Sequence, residues 1–107
     1  MSFQETSIFI RLEADNHTLS AKCQTSDREW RDSSIDLNRF LGNNDGQFDT
    51  TGVNFATTAQ DVRIESSDNR VLLNASLRTI DEQWNTNQSI NLSEYIENHE
   101  GTLRFKN

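Results

Sequence analysis

Cysteine occurs once in these 107 residues, at Cys23, so no intramolecular disulfide can form. A lone thiol fits a reducing compartment. No apolar run approaches the ~20 residues of a membrane span. The opening Met1-Ser2-Phe3-Gln4-Glu5 also lacks the basic and then apolar pattern of a signal peptide. A cytoplasmic protein without membrane insertion is therefore expected, with non-classical release left open. Positive charge is scarce: 10 Lys and Arg stand against 17 Asp and Glu, a formal charge of -7. The acidic residues are scattered rather than gathered in a tail, so phosphate backbones and anionic lipids are repelled and no nucleic-acid partner is expected. His17 and His99 have no Cys or His partner at metal-ligand spacing, and no carboxylates stand at the spacing of a calcium loop. Neither a metal nor any other cofactor is expected.

What is present is polar, uncharged and turn-forming. Hydrophobic residues make up 33% of the chain, and Asn, Ser and Thr are plentiful. Such a composition suits either a strand- and turn-rich domain or disorder. The regular placement of apolar residues, including Trp30 and Trp84 at matching places, argues for the domain. Asn-x-Ser/Thr triplets begin at Asn16, Asn74, Asn87 and Asn91; with no secretory route in view they reflect composition.

The strongest signal is internal repetition. Phe3 to Glu13 lies over Phe55 to Glu65, and Leu19 to Thr25 over Leu73 to Thr79, with Asp27 and Trp30 over Asp81 and Trp84. After one further insertion Ser34 to Leu37 matches Ser89 to Leu92, and Phe40-Leu41 matches Tyr95-Ile96. Each unit closes on a turn, Asn43-Asn44-Asp45-Gly46 in one and Asn98-His99-Glu100-Gly101 in the other. Ile8, Ile10 and Leu12 alternate with Phe9, Arg11 and Glu13, and Leu19, Ala21 and Cys23 with Ser20, Lys22 and Gln24, which is the period of strands. Asp45-Gly46 is a hairpin signal, and Asp36 to Leu41 is expected to form a short helical turn. Two copies are too few for a solenoid, and each is too short to bury a stable core alone. One pseudo-symmetric domain over 1–107 follows, with repeat one at 1–52 and repeat two at 53–107. The seam at Gly52-Val53-Asn54 has neither proline nor a long flexible tract, so it is a crossover and not a linker.

Taken in order and spacing, Ser33 to Asn38, Asn43 to Gly46, Asn54-Phe55, Ile90 to Leu92 and Glu100 to Leu103 resemble the cyanovirin-N lectins over nearly the whole chain. The resemblance implies an all-β protein with a three-stranded sheet and a hairpin in each half and strands exchanged between the repeats. It implies a sugar site at each end that takes terminal Manα1-2Man units of high-mannose oligosaccharides or glycoproteins by direct hydrogen bonds, without metal or catalysis. Where the founding protein carries paired cysteines, Cys23 here faces Ser7, and Ala59 and Leu77 fill the other pair of positions. Carried over by position, the favoured site falls on Asn43, Asp45, Asn54, Thr57, Thr58, Arg78, Thr79 and Glu82. Gly42 stands where a glutamate, and Ile80 where an arginine, is expected. The second site falls on Glu5, Thr6, Gln24, Thr25, Ser26, Asn98 and Glu100, with Glu5 in place of a glutamine and Glu100 in place of an aspartate.

The chemistry of these residues agrees in kind, because adjacent sugar hydroxyls both donate and accept, and short Asn, Asp and Thr groups on hairpin turns meet them. The blander readings are that Asn43, Asp45, Asn98 and Glu100 are ordinary turn formers and that Trp30 and Trp84 pack in the core. Asp45 and Glu100 as a glycosidase pair are disfavoured, since equivalent residues of two repeats fall at opposite ends. The alternative to a lectin is a structural or protein-interaction module that kept the fold and lost the sugar sites. A monomer is expected, with a domain-swapped dimer open.

Overall fold

The computed structural model describes residues 3–67 and 70–106. Its strands are β1 (Ser7–Leu12), β2 (Thr18–Gln24), β3 (Trp30–Asp36), β4 (Gly42–Asn44), β5 (Gln47–Asp49), β6 (Ala59–Ser67), β7 (Arg70–Arg78), β8 (Trp84–Asn91), β9 (Ile96–His99) and β10 (Thr102–Phe105). A single 3-10 turn at Phe3–Thr6 precedes β1, and others stand between strands at Leu37–Arg39, Phe55–Thr58 and Leu92–Glu94. Two antiparallel three-stranded sheets, β1-β2-β3 and β6-β7-β8, and two hairpins, β4-β5 and β9-β10, make an all-β protein 50 × 23 × 23 Å in extent.

Alternation in the two central strands places Leu19, Ala21 and Cys23 of β2, and Val71, Leu73, Ala75 and Leu77 of β7, on the buried faces. Phe3, Phe55, Leu37, Leu41, Leu92 and Ile96 from the 3-10 turns and hairpins close over them. Asp36 caps the Leu37–Arg39 turn by accepting from the Asn38 N–H, and Asn91 caps Leu92–Glu94 by accepting from the Ser93 N–H. The helical turn expected over Asp36 to Leu41 is therefore present. Cys23 pairs with Ser7, whose hydroxyl donates to Sγ at 3.5 Å, and burial raises the thiol's pKa. Ala59 pairs with Leu77, so at both places where the resemblance puts cysteine pairs the chain has no cross-link.

The halves are built from both repeats. Hairpin β4-β5 of repeat one lies against β8 of repeat two, and hairpin β9-β10 of repeat two lies against β3 of repeat one. Each hairpin reverses through two residues at positive φ, Asp45 (50°) with Gly46 (85°) and Glu100 (50°) with Gly101 (88°), the conformation that matches the right-handed twist of the flanking strands.

Three departures from simple alternation have one cause, β-bulges. In β1 both Phe9 and Ile10 oppose Ala21, with Phe9 at φ 54°, so Ile8 is turned outward while Ile10 and Leu12 pack on the core. Asp61 repeats the device in β6 at φ 55°. The insertion between Trp84 and Ser89 is absorbed at Asn87 (φ 60°), where the pairing of β8 with β7 slips. The expected core packing of Trp30 and Trp84 is not found: they are 45% and 42% exposed. Trp30 pairs with Gln24 and Trp84 with Arg78, and residues directly opposed across a ladder share a face. Cys23 and Leu77 hold the inward positions, so their neighbours Gln24 and Arg78, and the tryptophans with them, face out.

Candidate functional site

Each hairpin turn is latched onto the end of the other repeat's sheet by one asparagine. Asn43 donates through Nδ2 to Thr58 Oγ1 (2.9 Å) and to the Arg78 carbonyl (2.8 Å), and its Oδ1 accepts from the Gly46 N–H (2.8 Å). Asn98 does the same at the opposite end, donating to Thr6 Oγ1 (2.9 Å) and the Gln24 carbonyl (2.9 Å) and accepting from the Gly101 N–H (2.9 Å). Both amide protons of each asparagine are thus engaged inside the protein. The turn acids finish the closure differently. Asp45 Oδ1 accepts from the backbone N–H of Ile80 at 3.0 Å. Glu100 Oε1 accepts from Ser26, at 2.8 Å from its hydroxyl and 3.3 Å from its N–H, and these bonds hold the Glu100 carboxyl below the usual carboxylate range.

Around the first latch the structure brings together Asn43, Asp45, Thr58, Arg78, Thr79 and Glu82. Arg78 Nη2 lies 3.2 Å from Glu82 Oε1, and Thr79 shapes the tight turn before β8 by accepting the Gln83 N–H at its hydroxyl (3.1 Å). Thr57 donates from its hydroxyl to the carbonyl of Asn54 (2.9 Å) on the same 3-10 turn. Asn54 itself, at φ 62°, is anchored to the seam by its N–H, which donates to the Asn38 carbonyl, and it lines a depression with Asp36, Asn38, Arg39 and Val53. Around the second latch stand Thr6, Gln24, Thr25, Ser26, Asn98 and Glu100, with Thr25 Oγ1 accepting the Glu29 N–H as Thr79 does for Gln83. Glu5 is exposed on the turn that leads to Thr6.

Sequence reasoning missed Asn85. Its amide donates to the Gly46 carbonyl at 2.9 Å and fastens the turn to β8, and no motif marks it, because it differs from its repeat-one counterpart Arg31. The side chain of Arg31 instead packs beside Gly101. Among the described residues no three His, Cys, Asp or Glu side chains gather into a group that could hold a metal ion. The arrangement is two polar rims made of hydroxyls, carboxylates, a guanidinium and backbone groups, each at the junction of two chain segments from different repeats.

The family signature described as the CVNH domain matches residues 3–104. The chain belongs to this family, the cyanovirin-N homologs. A "Cyanovirin-N homolog" of Neurospora crassa is 38% identical over 99% of this chain and 99% of its own. The NMR structure of a designed cyanovirin-N homolog lectin superposes with a TM-score of 0.90 at 35% identity, covering 99% of this chain and 100% of that one. The complex of microvirin with mannobiose superposes at 0.85 with 33% identity and 98% of both chains covered. All-β architecture, exchanged hairpins and the absence of a disulfide are thus the form that the CVNH fold takes here.

Proposed function

We propose that this CVNH protein is a non-catalytic lectin that binds terminal Manα1-2Man units of high-mannose glycans at the two latched hairpin turns, by direct hydrogen bonds and without a metal ion. The observation that carries this reading is the pair of rims itself. Each places neutral and charged hydrogen-bonding groups from three segments on a rigid sheet end, at pseudo-equivalent positions, in a fold whose relative microvirin is solved with mannobiose. Asn43 and Asn98 position the rims, while Arg78, Thr79 and Glu82 at one end, and Glu5 and Ser26 at the other, face the sugar, with Thr25 buried behind the second rim. A single rim binds weakly. A branched glycan that engages both gains through effective concentration.

An NMR titration of labelled protein with mannobiose, in a chelator, tests the proposal. Shifts at Asp45, Thr79 and Glu82, and at Thr25, Ser26 and Glu100, are expected. Arg78→Ala with Glu82→Ala removes an exposed pair that adds little to stability, and weakens the first rim about tenfold or more at ~1.4 kcal/mol per decade. No shift with any mannose-containing glycan at millimolar concentration overturns the proposal in favour of an interaction module.

A further inference from the structure

Each exchanged hairpin leaves a groove between its second strand and the outer strand of the sheet it lies on. The two grooves are lined by corresponding positions: Ser34, Ile35, Phe40, Leu103, Arg104 and Phe105 in one half, and Ser89, Ile90, Tyr95, Phe48, Asp49 and Thr50 in the other. They differ in three ways. In the first half the seam is stitched, because the Leu103 N–H donates to Ser33 Oγ at 2.9 Å. Gln88 occupies the place of Ser33 in the second half, and its amide is turned along its own strand to the Thr86 carbonyl (3.3 Å). Among the described residues no side chain accepts from the Phe48 N–H, and the groove is larger, about 430 Å³ against about 330 Å³.

The second difference is charge. Asp36, Arg39 and Arg104 line the first groove, whereas the second has a single carboxylate, Asp49, already committed to the hydroxyl (2.6 Å) and N–H (2.9 Å) of Thr51. The rest of its polar lining is neutral, and Asn44, Gln47, Thr50 and Ser89 make no side-chain hydrogen bond within the described protein. The third is aromatic. Phe40 and Phe105 stack on each other in the first groove, centroids 4.8 Å apart at 3°. Tyr95 stacks on Phe105 from the other half (5.9 Å, 11°) and gives its remaining surface to the second groove.

Unengaged neutral donors and acceptors beside an aromatic ring, in a volume within the roughly 300–1,000 Å³ of small-molecule sites, suit a pyranose, whose hydroxyls hydrogen-bond and whose C–H face packs on a ring. Asn44 follows the latch residue Asn43 directly on β4, and β5 runs from the turn along β8. We infer that the β5–β8 groove is an extension subsite that takes a further sugar unit of the same neutral oligosaccharide held at the Asn43–Asp45 turn, and that the β3–β10 groove is closed to this use. The inference rests on the lectin reading above.

Titrating labelled protein with mannobiose and, separately, with a linear α1-2-linked mannotetraose tests it. Mannobiose is expected to shift the turns only. Mannotetraose is expected to shift Asn44, Gln47, Gln88, Ser89 and Tyr95 as well, and to bind about tenfold tighter at the first rim, one decade per ~1.4 kcal/mol. Gln88→Ala with Ser89→Ala should abolish the groove shifts and the affinity gain while mannobiose binding is unchanged, and Gln88→Ser, which copies the stitched half, should do the same. If mannotetraose shifts the turns and leaves the groove silent in folded protein, the subsite is overturned and the lectin reading stands. If neither sugar shifts any residue, both fall. Groove shifts without turn shifts would make the groove a separate site and overturn both the extension and the turn sites.

Discussion

The two ends of the molecule share a latch and differ in the acid that closes it, in the charge beside it and in the groove behind it. Asn43 and Asn98 make the same three kinds of bond to the same kinds of partner, a threonine hydroxyl, a backbone carbonyl at a sheet end and the N–H of a turn glycine. Asp45 then reaches a backbone N–H, whereas the longer Glu100 reaches a serine. One end carries an Arg78–Glu82 ion pair beside an open groove; the other has a stitched groove with arginine in its lining. The lesson is that the duplicated element is the means of attaching the hairpin, while the exposed surfaces beside it have diverged.

Removing either latch should break the likeness most severely. Asn43→Ala or Asn98→Ala deletes two donated bonds and one accepted bond and strands the carbonyl of Arg78 or Gln24 and a glycine N–H. At about 0.5–1.5 kcal/mol per bond, a loss of roughly 2–4 kcal/mol is expected in urea unfolding for each. Unchanged stability with lost sugar binding would show that these asparagines serve the ligand and not the fold.

Turn glycines sharpen the contrast. Ala at either position meets a positive φ that costs about 1–2 kcal/mol. Gly46→Ala also brings Cβ within 2.9 Å of Thr79 Cγ2 and 3.0 Å of Asn85 Cβ, while Gly101→Ala meets Arg31 Cδ at 2.8 Å and Thr25 Cγ2 at 3.1 Å. Asn85 and Thr79 are tied into the sheet end, and the arginine stem can swing away. Gly46→Ala should therefore lower Tm more than Gly101→Ala, and equal losses would mean that the two turns are equally confined.

The smallest expected effect is in acid. Glu100 has a depressed carboxyl in the folded state, so its bonds to Ser26 contribute fully above the ordinary value of 4.5 and fade as pH falls through the folded value. The Ser26 amide signal should move in that range, and Glu100→Gln should remove the dependence. Asp15, held at about 2 chiefly by the Thr18 hydroxyl, supplies a reference that fades at lower pH. A Ser26 signal indifferent to pH would place Glu100 in solvent.

Most of the architecture could be read from the chain because repetition and strand period are properties of residue order. The Asp-Gly turn and the helical turn after Asp36 follow from that order, whereas the pairings of Ser7 with Cys23 and of Ala59 with Leu77 come from the resemblance to the cyanovirin-N lectins. What escaped depends on phase and on partners. A period of two gives alternation but not which set faces in once a bulge at Phe9 shifts it, and the two tryptophans begin strands whose phase is set by β2 and β7. The site residues come from the resemblance by position, and nothing in the order of residues tells that both amide protons of Asn43 are already spent on Thr58 and Arg78. The same limit hid Asn85, and it hid the groove, whose lining comes from strands that are distant in the chain.

The exchanged hairpins have a consequence for inheritance. The rim at either end is encoded in two stretches of the gene, one from each repeat, so a copy of a single repeat would carry part of two rims and complete neither. A substitution in the first turn is felt against Arg78, and one in the last turn against Gln24. Selection on one end of the protein therefore always acts on both repeats, which ties their histories together however far their surfaces drift.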